Sequence, residues 1–170
     1  PFDHVQAARR QPGSTFKPFV YGAAFANGAT PEDTLMDTAV EIPLGGGRVW
    51  RPTDGGPPSD QPMTLADGLA FSKNTITAQV MQQVGPARVA EVARALGVRQ
   101  SKLEEVPSLA LGTSPVTLKE MISAYSSIVN LGRYVEPVLI TSIEDRNGKV
   151  LETFAKPVPE EGFQPRAAQT

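Results

Sequence analysis

Residues 10–19 read Arg10-Gln11-Pro12-Gly13-Ser14-Thr15-Phe16-Lys17-Pro18-Phe19, and this stretch decides how the rest of the chain is interpreted. Proline is tolerated only in the first turn of a helix, so Pro18 places a helix start close to Ser14. The pair Asn27-Gly28 is expected to end that helix. Ser14 and Lys17 are three residues apart and therefore share one face, where hydroxyl and amine can meet. A serine nucleophile needs a neighbour that takes its proton, and a lysine with a lowered pKa is one such base.

The same pair also has a simpler interpretation. Serine is common at the start of a helix, and a lysine one turn later is commonly solvated. The spacing alone therefore leaves open whether Ser14 and Lys17 carry out chemistry.

The composition narrows the available chemistry. The chain has 170 residues, 40% hydrophobic and 20% charged, which fits one globular domain or part of one. A net charge of -2 gives no general footprint for nucleic acid. The chain has no cysteine and one histidine, His4, so we expect no metal site and no cofactor. A Ser-His-Asp triad would have to use His4, which has no G-x-S-x-G turn near it, so a serine nucleophile here calls for lysine as its base.

A second polar cluster is Ser72-Lys73-Asn74, which directly precedes a predicted helix over 74–84. A hydroxyl and an amide two residues apart at a turn can both point into one cleft. There the hydroxyl could relay a proton and the amide could hold a substrate carbonyl. The alternative is a plain helix cap formed by Ser72 or Asn74.

Apolar periodicity and capping residues predict an α+β chain that is mostly helical. Further helices are expected over 64–71, 74–84, 86–96 and 117–131, the last with Thr117 and Glu120 as a capping box. A strand around 40–42 should pair with 48–50, and 138–144 with 149–154 in a hairpin whose turn ends in Asn147-Gly148. The tail, 155–170, is polar and contains proline, so we expect it to be loose.

Several stretches together resemble the class A, or bifunctional, penicillin-binding proteins. Residues 10–19 are similar to the family's nucleophile motif, and Ala70-Phe71-Ser72-Lys73-Asn74-Thr75 is similar to its second motif. Other similar stretches are 111–118, Ala124-Tyr125, 130–137 and 143–150. The resemblance covers nearly all of residues 1–170, as a partial transpeptidase domain. It implies the helical lobe of the penicillin-binding transpeptidase and serine β-lactamase-like fold, with a small β-hairpin and most of the central sheet missing.

The resemblance also implies a function, that of a peptidoglycan D,D-transpeptidase inhibited by β-lactam antibiotics. Ser14 would attack the penultimate D-Ala carbonyl of a stem peptide, and its backbone N–H would be half of the oxyanion hole. Lys17 would take the serine proton, and Ser72 would relay a proton to the leaving amine. Asn74 would hold the acyl side chain and steady Lys17, while Lys73 matches a variable middle position. An amine of a second stem peptide would then take the acyl group and form the cross-link.

The third motif of the family, Lys-Thr-Gly, is absent, because none of the six lysines precedes Thr-Gly. In the family that motif lies on a strand of the central sheet. We therefore expect the chain alone to have little or no activity. The apolar face formed by Phe16, Phe19 and Val20 should be exposed unless a partner covers it, and the chain could self-associate. It begins at Pro1 rather than at a methionine, so we expect a piece of a longer protein. The resemblance implies a membrane-anchored parent with a glycosyltransferase domain, in the bacterial envelope, on the periplasmic or extracytoplasmic face of the inner membrane.

Two other functions remain open at this point. A serine β-lactamase or β-lactam sensor domain would share Ser-x-x-Lys, but a β-lactamase needs a group that activates water against the acyl-enzyme, and no glutamate is placed for that. A helical interaction module without catalysis would show no covalent labelling by penicillin.

Overall fold

The computed structural model describes residues 2–170 as a set of helices joined by short antiparallel strand pairs. The helices are α1 (Lys17–Ala26), α2 (Leu65–Ala70), α3 (Asn74–Val84), α4 (Pro86–Leu96), α5 (Leu118–Val129) and α6 (Pro165–Gln169). A 3-10 turn, Gly13–Phe16, leads directly into α1, and a second covers Pro107–Leu111.

The strands are short and lie between the helices. They are β1 (Arg9–Arg10), β2 (Thr34–Met36), β3 (Ile42–Gly45), β4 (Arg48–Trp50), β5 (Pro62–Thr64), β6 (Val116–Thr117), β7 (Arg133–Tyr134), β8 (Ser142–Glu144), β9 (Val150–Thr153) and β10 (Glu160–Glu161). Within residues 2–170 they form separate two-stranded antiparallel sheets: β1 with β6, β2 with β5, β3 with β4, β7 with β10, and β8 with β9. The predicted fold class, α+β and mostly helical with most of a central sheet missing, is confirmed for these residues.

The helix boundaries follow from the residues that stand at them. Gly85 has a φ of 84° between α3 and α4, and Pro86 begins α4, so the predicted ranges 74–84 and 86–96 are confirmed. The helix predicted over 117–131 ends earlier, at Val129. The reason is that Leu131 and Gly132 both take a left-handed conformation, which no right-handed helix can include.

The core is built around α1. Phe16, Phe19 and Val20 are fully buried, because α3, α4 and the Pro107–Leu111 turn pack against α1. The covering side chains are apolar residues at helical spacing, namely Ile76, Val80, Met81, Val89, Ala93, Leu96 and Leu109. This corrects the expectation that the motif helix exposes its apolar face, because helices within the chain itself cover it.

The tail is packed from Glu160 onward, which differs from the expectation that 155–170 is loose. Glu160–Glu161 pairs with β7, and Ala167 of α6 is buried. A Cβ at Gly22 on α1 would lie 3.4 Å from the ring of Phe163. The segment is mostly polar in composition, but its one aromatic residue near the end, Phe163, packs against the core.

The two predicted hairpins are present in the structure. Ile42–Gly45 pairs with Arg48–Trp50, and Ser142–Glu144 with Val150–Thr153. The second hairpin begins at Ser142 rather than at 138. Its turn is fastened by the Asp145 carboxylate, which accepts the N–H groups of Asn147 and Lys149 at 2.8 and 3.0 Å. Among the described residues, no helix combines the length and apolar character needed to cross a membrane.

Glu120 is the most densely bonded carboxylate of the helical core. It is 3% exposed, forms the predicted capping box with Thr117, and accepts the N–H groups of Gln100 and Ser101, both at 2.7 Å. The hydroxyl of Ser101 donates to it at 2.6 Å. We expect Glu120→Ala to lower the free energy of unfolding by about 3 kcal/mol, because several buried donors lose their acceptor. Chemical denaturation measures this, with the exposed Glu91 on α4, changed to alanine, as the control; equal losses in both variants would contradict the prediction.

The same carboxylate gives the stability a pH dependence. Burial alone would raise the pKa of Glu120, but the hydrogen bonds from Ser101, Thr117 and Gln100 outweigh it and hold this pKa below its ordinary value of 4.5. A lowered pKa means that the stabilisation is complete well above pH 4.5 and is lost as the pH falls through the lower, folded-state value. The stability difference between the wild type and Glu120→Gln should therefore shrink in acid.

Candidate active site

Ser14 lies in the 3-10 turn that leads into α1, with its side chain exposed. Its hydroxyl forms no hydrogen bond within residues 2–170. Two contacts hold the turn from outside: the N–H of Gly13 donates to the carbonyl of Gly112 at 3.3 Å, and the Tyr125 hydroxyl donates to the carbonyl of Thr15 at 2.7 Å. Burial raises the pKa of Tyr125, which keeps the phenol protonated as a donor. The hydroxyl of Ser14, the candidate nucleophile, is therefore not engaged in a hydrogen bond within residues 2–170, while hydrogen bonds from outside the turn hold the adjacent backbone.

Lys17 brings the two sequence motifs together. Its side chain is only 1% exposed, and its Nζ donates to the Ser72 carbonyl at 2.5 Å, to the Ser72 Oγ at 2.9 Å and to the Asn74 Oδ1 at 2.7 Å. Three acceptors match the three N–H bonds of an ammonium group. The structure therefore joins Lys17, Ser72 and Asn74, whereas it shows no hydrogen bond between Lys17 and Ser14, one turn away.

Burial makes the Lys17 ammonium easier to deprotonate. Burial lowers the pKa of Lys17 below its ordinary value of 10.5, and the negative charge of Asp54 opposes this shift only in part. A lysine that loses its proton more easily is better suited to take one from a hydroxyl. The structure therefore places an amine of lowered pKa one helical turn from the exposed Ser14 hydroxyl.

Ser72 and Asn74 stand at the turn between α2 and α3. Ser72 has a φ of 53°, in the left-handed region that a serine seldom occupies. Neither side chain caps α3: the capping position is held by Lys73, whose side chain makes no cap, and the carboxylate of Asp54 accepts the Asn74 N–H at 2.7 Å. Asn74 does begin α3, as the helix-start interpretation of Ser72-Lys73-Asn74 expects. Neither Ser72 nor Asn74 caps the helix with its side chain, however, because both polar groups contact Lys17.

An open groove of about 830 Å³ lies beside the motif turn and is lined in part by Pro12 and Thr15. Four large side chains of α5 line this groove, and we call them the α5 strip: Leu118, Ile122, Tyr125 and Val129. These side chains are 40–84% exposed and recur at helical spacing along one face of α5. None of Ser14, Lys17, Ser72 and Asn74 lines the groove, so the exposed apolar surface is separate from the candidate chemistry.

Comparison with known protein families identifies the family to which the chain belongs. The family model for the penicillin-binding protein transpeptidase domain matches residues 4–170. The chain belongs to the penicillin-binding protein transpeptidase family. Among residues 2–170, no group of three or more histidine, cysteine or acidic side chains is placed to hold a metal ion.

Individual penicillin-binding proteins are similar over most of the chain. Penicillin-binding protein 1A of Rickettsia bellii is 37% identical over 151 residues, and that of Neisseria meningitidis is 36% identical over the same length. Each match covers 88% of this chain and 19% of the relative, so the chain spans about a fifth of these proteins.

Solved penicillin-binding protein structures share the fold. The crystal structure of penicillin-binding protein 1A from Haemophilus influenzae has a TM-score of 0.85 and 34% identity, and the match covers 93% of this chain and 24% of that one. An imipenem acyl-enzyme complex of penicillin-binding protein A from Mycobacterium tuberculosis also gives 0.85, over 99% of this chain and 43% of that one. At 22% identity, the second likeness shows the fold alone.

Some of the residues around this candidate site were not identified from the sequence. Asp37 and Asp54 lie 3.0 and 3.3 Å from the Lys73 Nζ, so the middle residue of the second motif is an ion-paired side chain. Gly112 and Tyr125 brace the turn of Ser14. Gly112 and Tyr125 lie in stretches that resemble the penicillin-binding protein family, whereas Asp37 and Asp54 lie in no motif that the sequence analysis identified.

Proposed function

We propose that this chain is the nucleophile-bearing part of a peptidoglycan D,D-transpeptidase, a serine acyltransferase that cross-links stem peptides and that β-lactams inhibit. The observation that carries the proposal is the buried Lys17, which holds Ser72 and Asn74 one helical turn from the exposed Ser14. A lysine of lowered pKa beside a free hydroxyl is the arrangement that a serine nucleophile requires in the absence of histidine.

The first half of the reaction forms the acyl-enzyme. Lys17, in its neutral form, takes the proton of Ser14 as the Ser14 oxygen attacks the carbonyl of the penultimate D-Ala. The Ser14 N–H stabilises the oxyanion. The C–N bond to the last D-Ala breaks, and that leaving amine receives a proton through the Ser72 hydroxyl, which already lies 2.9 Å from the Lys17 Nζ.

The second half transfers the acyl group. An amine of a second stem peptide attacks the ester and gives its proton to the same Lys17–Ser72 pair. The ester bond breaks, and Ser14 regains its hydroxyl. Asn74 holds the acyl side chain while its Oδ1 keeps Lys17 in place at 2.7 Å. A β-lactam acylates Ser14 in the same way, but its leaving amine stays tethered.

The wider setting is proposed on the family alone. We expect the whole protein to be anchored in the inner membrane of a bacterium, with a glycosyltransferase domain and with this domain on the periplasmic or extracytoplasmic side. The 170 residues alone should have little activity, because Lys-Thr-Gly is absent. The exposed α5 strip supports self-association of the isolated chain.

The experiment is adduct mapping in the full-length protein. The protein is reacted with penicillin G and digested, and the peptides are analysed by mass spectrometry. The expected result is a single penicilloyl adduct on the peptide that contains Ser14. An adduct elsewhere, or none, would overturn the proposal, and rapid release of hydrolysed penicillin over many turnovers would indicate a β-lactamase instead.

A further inference from the structure

Lys73 is the centre of a charged cluster behind the second motif. Its Nζ lies 3.0 Å from Asp37 and 3.3 Å from Asp54. Asp37 is 1% exposed and accepts further hydrogen bonds from the Thr75 hydroxyl at 2.7 Å and from the Ser59 N–H at 3.0 Å. Such a buried acceptor is a fixed point of the fold, and Lys73 ties the motif turn to it.

Asp54 and its neighbour Thr53 come from a different segment, the loop at residues 51–61. The Asp54 carboxylate accepts the backbone N–H of Asn74 at 2.7 Å. The carbonyl of Thr53 accepts the side-chain Nδ2 of Asn74 at 2.8 Å. Because the amide nitrogen is held there, the other end of the amide, Oδ1, must face Lys17.

We propose that Asp54 is a positioning residue for acylation of Ser14, which acts by locking the Ser72–Asn74 turn and the Asn74 amide against Lys17. This inference rests on the proposed function, since it concerns the residues that the transpeptidase reaction uses. Asp54 contacts Asn74 and Lys73 and would act through these two residues.

The turn needs this external support. Ser72 is held at a φ of 53°, a conformation that costs free energy for a residue other than glycine. Such a conformation persists only where the surrounding contacts determine it. Several contacts determine it here. The Lys73 N–H donates to the Gly68 carbonyl at 2.8 Å, and the Lys73 ammonium pairs with the carboxylates of Asp37 and Asp54. The Asp54 carboxylate also accepts the Asn74 N–H.

Charge provides a second effect of the same residue. The charge of Asp54 stabilises the Lys17 ammonium. The phenol of Tyr21, one turn further along α1, stays neutral, because burial and the nearby Asp54 raise its pKa to about 12. Removing the Asp54 charge should therefore lower the pKa of Lys17 further.

The test measures the acylation rate constant of the full-length protein by fluorescent penicillin from pH 5 to pH 10, for two variants of one residue. Asp54→Ala removes both the acceptor and the charge, and should acylate about 10- to 100-fold more slowly at every pH. Asp54→Asn keeps an oxygen for the Asn74 N–H, so it should recover most of the rate. Its acidic limb should move to lower pH, because the Lys17 ammonium has lost a stabilising charge.

The matched control is Glu41→Gln, which removes a carboxylate from an exposed ion pair with Arg51, the first residue of the same loop. This variant should acylate at the wild-type rate with an unshifted profile. Wild-type rates in Asp54→Ala would overturn the inference. So would a slow Asp54→Asn with an unshifted profile, since this indicates a merely structural role. If the wild type itself is not labelled at Ser14, the proposed function fails and this inference fails with it.

Discussion

Replacing Lys17 with methionine should slow acylation of Ser14 by about 10²- to 10⁴-fold, the range that a positioned general base contributes. Methionine keeps an unbranched apolar stem of similar length in a site where the native side chain is 1% exposed. The variant removes the amine that holds Ser72 and Asn74 and that would take the serine proton. Labelling should disappear altogether in Ser14→Ala, which sets the floor of the measurement.

The rate constant is measured by quenching the reaction of the full-length protein with fluorescent penicillin at timed intervals. The control is Lys102→Met, which removes an exposed lysine that is not among the hydrogen-bond partners of Lys17. Because burial lowers the pKa of Lys17, the wild-type rate should reach its plateau below pH 10.5, the ordinary value for lysine. A Lys17→Met protein that acylates as fast as the wild type would remove Lys17 from the role of base.

Gly112→Ala should slow acylation of Ser14 nearly as much as Lys17→Met, although glycine has no side chain that could take part in the reaction. A Cβ at this position would lie 2.3 Å from the oxygen and 2.5 Å from the nitrogen of Gly13, so the backbone next to Ser14 would have to move. The φ of Gly112, 66°, adds left-handed strain of about 1–2 kcal/mol for alanine. We expect acylation to fall by about 100-fold, since a displacement of about 1 Å at a reacting group has that effect.

Gly148→Ala separates the steric contact with Gly13 from the backbone strain of a positive φ. Gly148 also has a positive φ, 82°, but a Cβ there would meet nothing within 4 Å. This control should lose stability through backbone strain while acylating normally, as measured by thermal unfolding and penicillin labelling of the same preparations. Equal acylation rates in the two variants would show that the contact between Gly112 and Gly13 does not position Ser14.

The helices could be read from the sequence because local residues fix their ends. Gly85 and Pro86 separate α3 from α4, and the Thr117–Glu120 capping box starts α5. The meeting of Lys17 with Ser72 and Asn74 was expected from the resemblance, and the structure places these three side chains in contact.

The residues that support the site could not be found in this way. Asp37 and Asp54 reach Lys73 from two separate segments, and short ion pairs between distant residues leave no periodic signal. The strand pair Thr34–Met36 with Pro62–Thr64 was missed for the same reason, since three residues are too few to show alternation. Phe16 and Phe19 were expected to be exposed because most of the central sheet is missing. The structure buries them instead, since helices from other parts of the chain pack on α1, and the motif alone does not reveal that packing.

The α5 strip has a practical consequence for anyone who wishes to produce these 170 residues by themselves. Val129 is 84% exposed and Ile122 is 55% exposed, so purified material should precipitate at the concentrations that nuclear magnetic resonance requires. Neither side chain belongs to the buried core. Glutamate at these two positions is therefore the first change to make in engineering a recombinant form suited to spectroscopy.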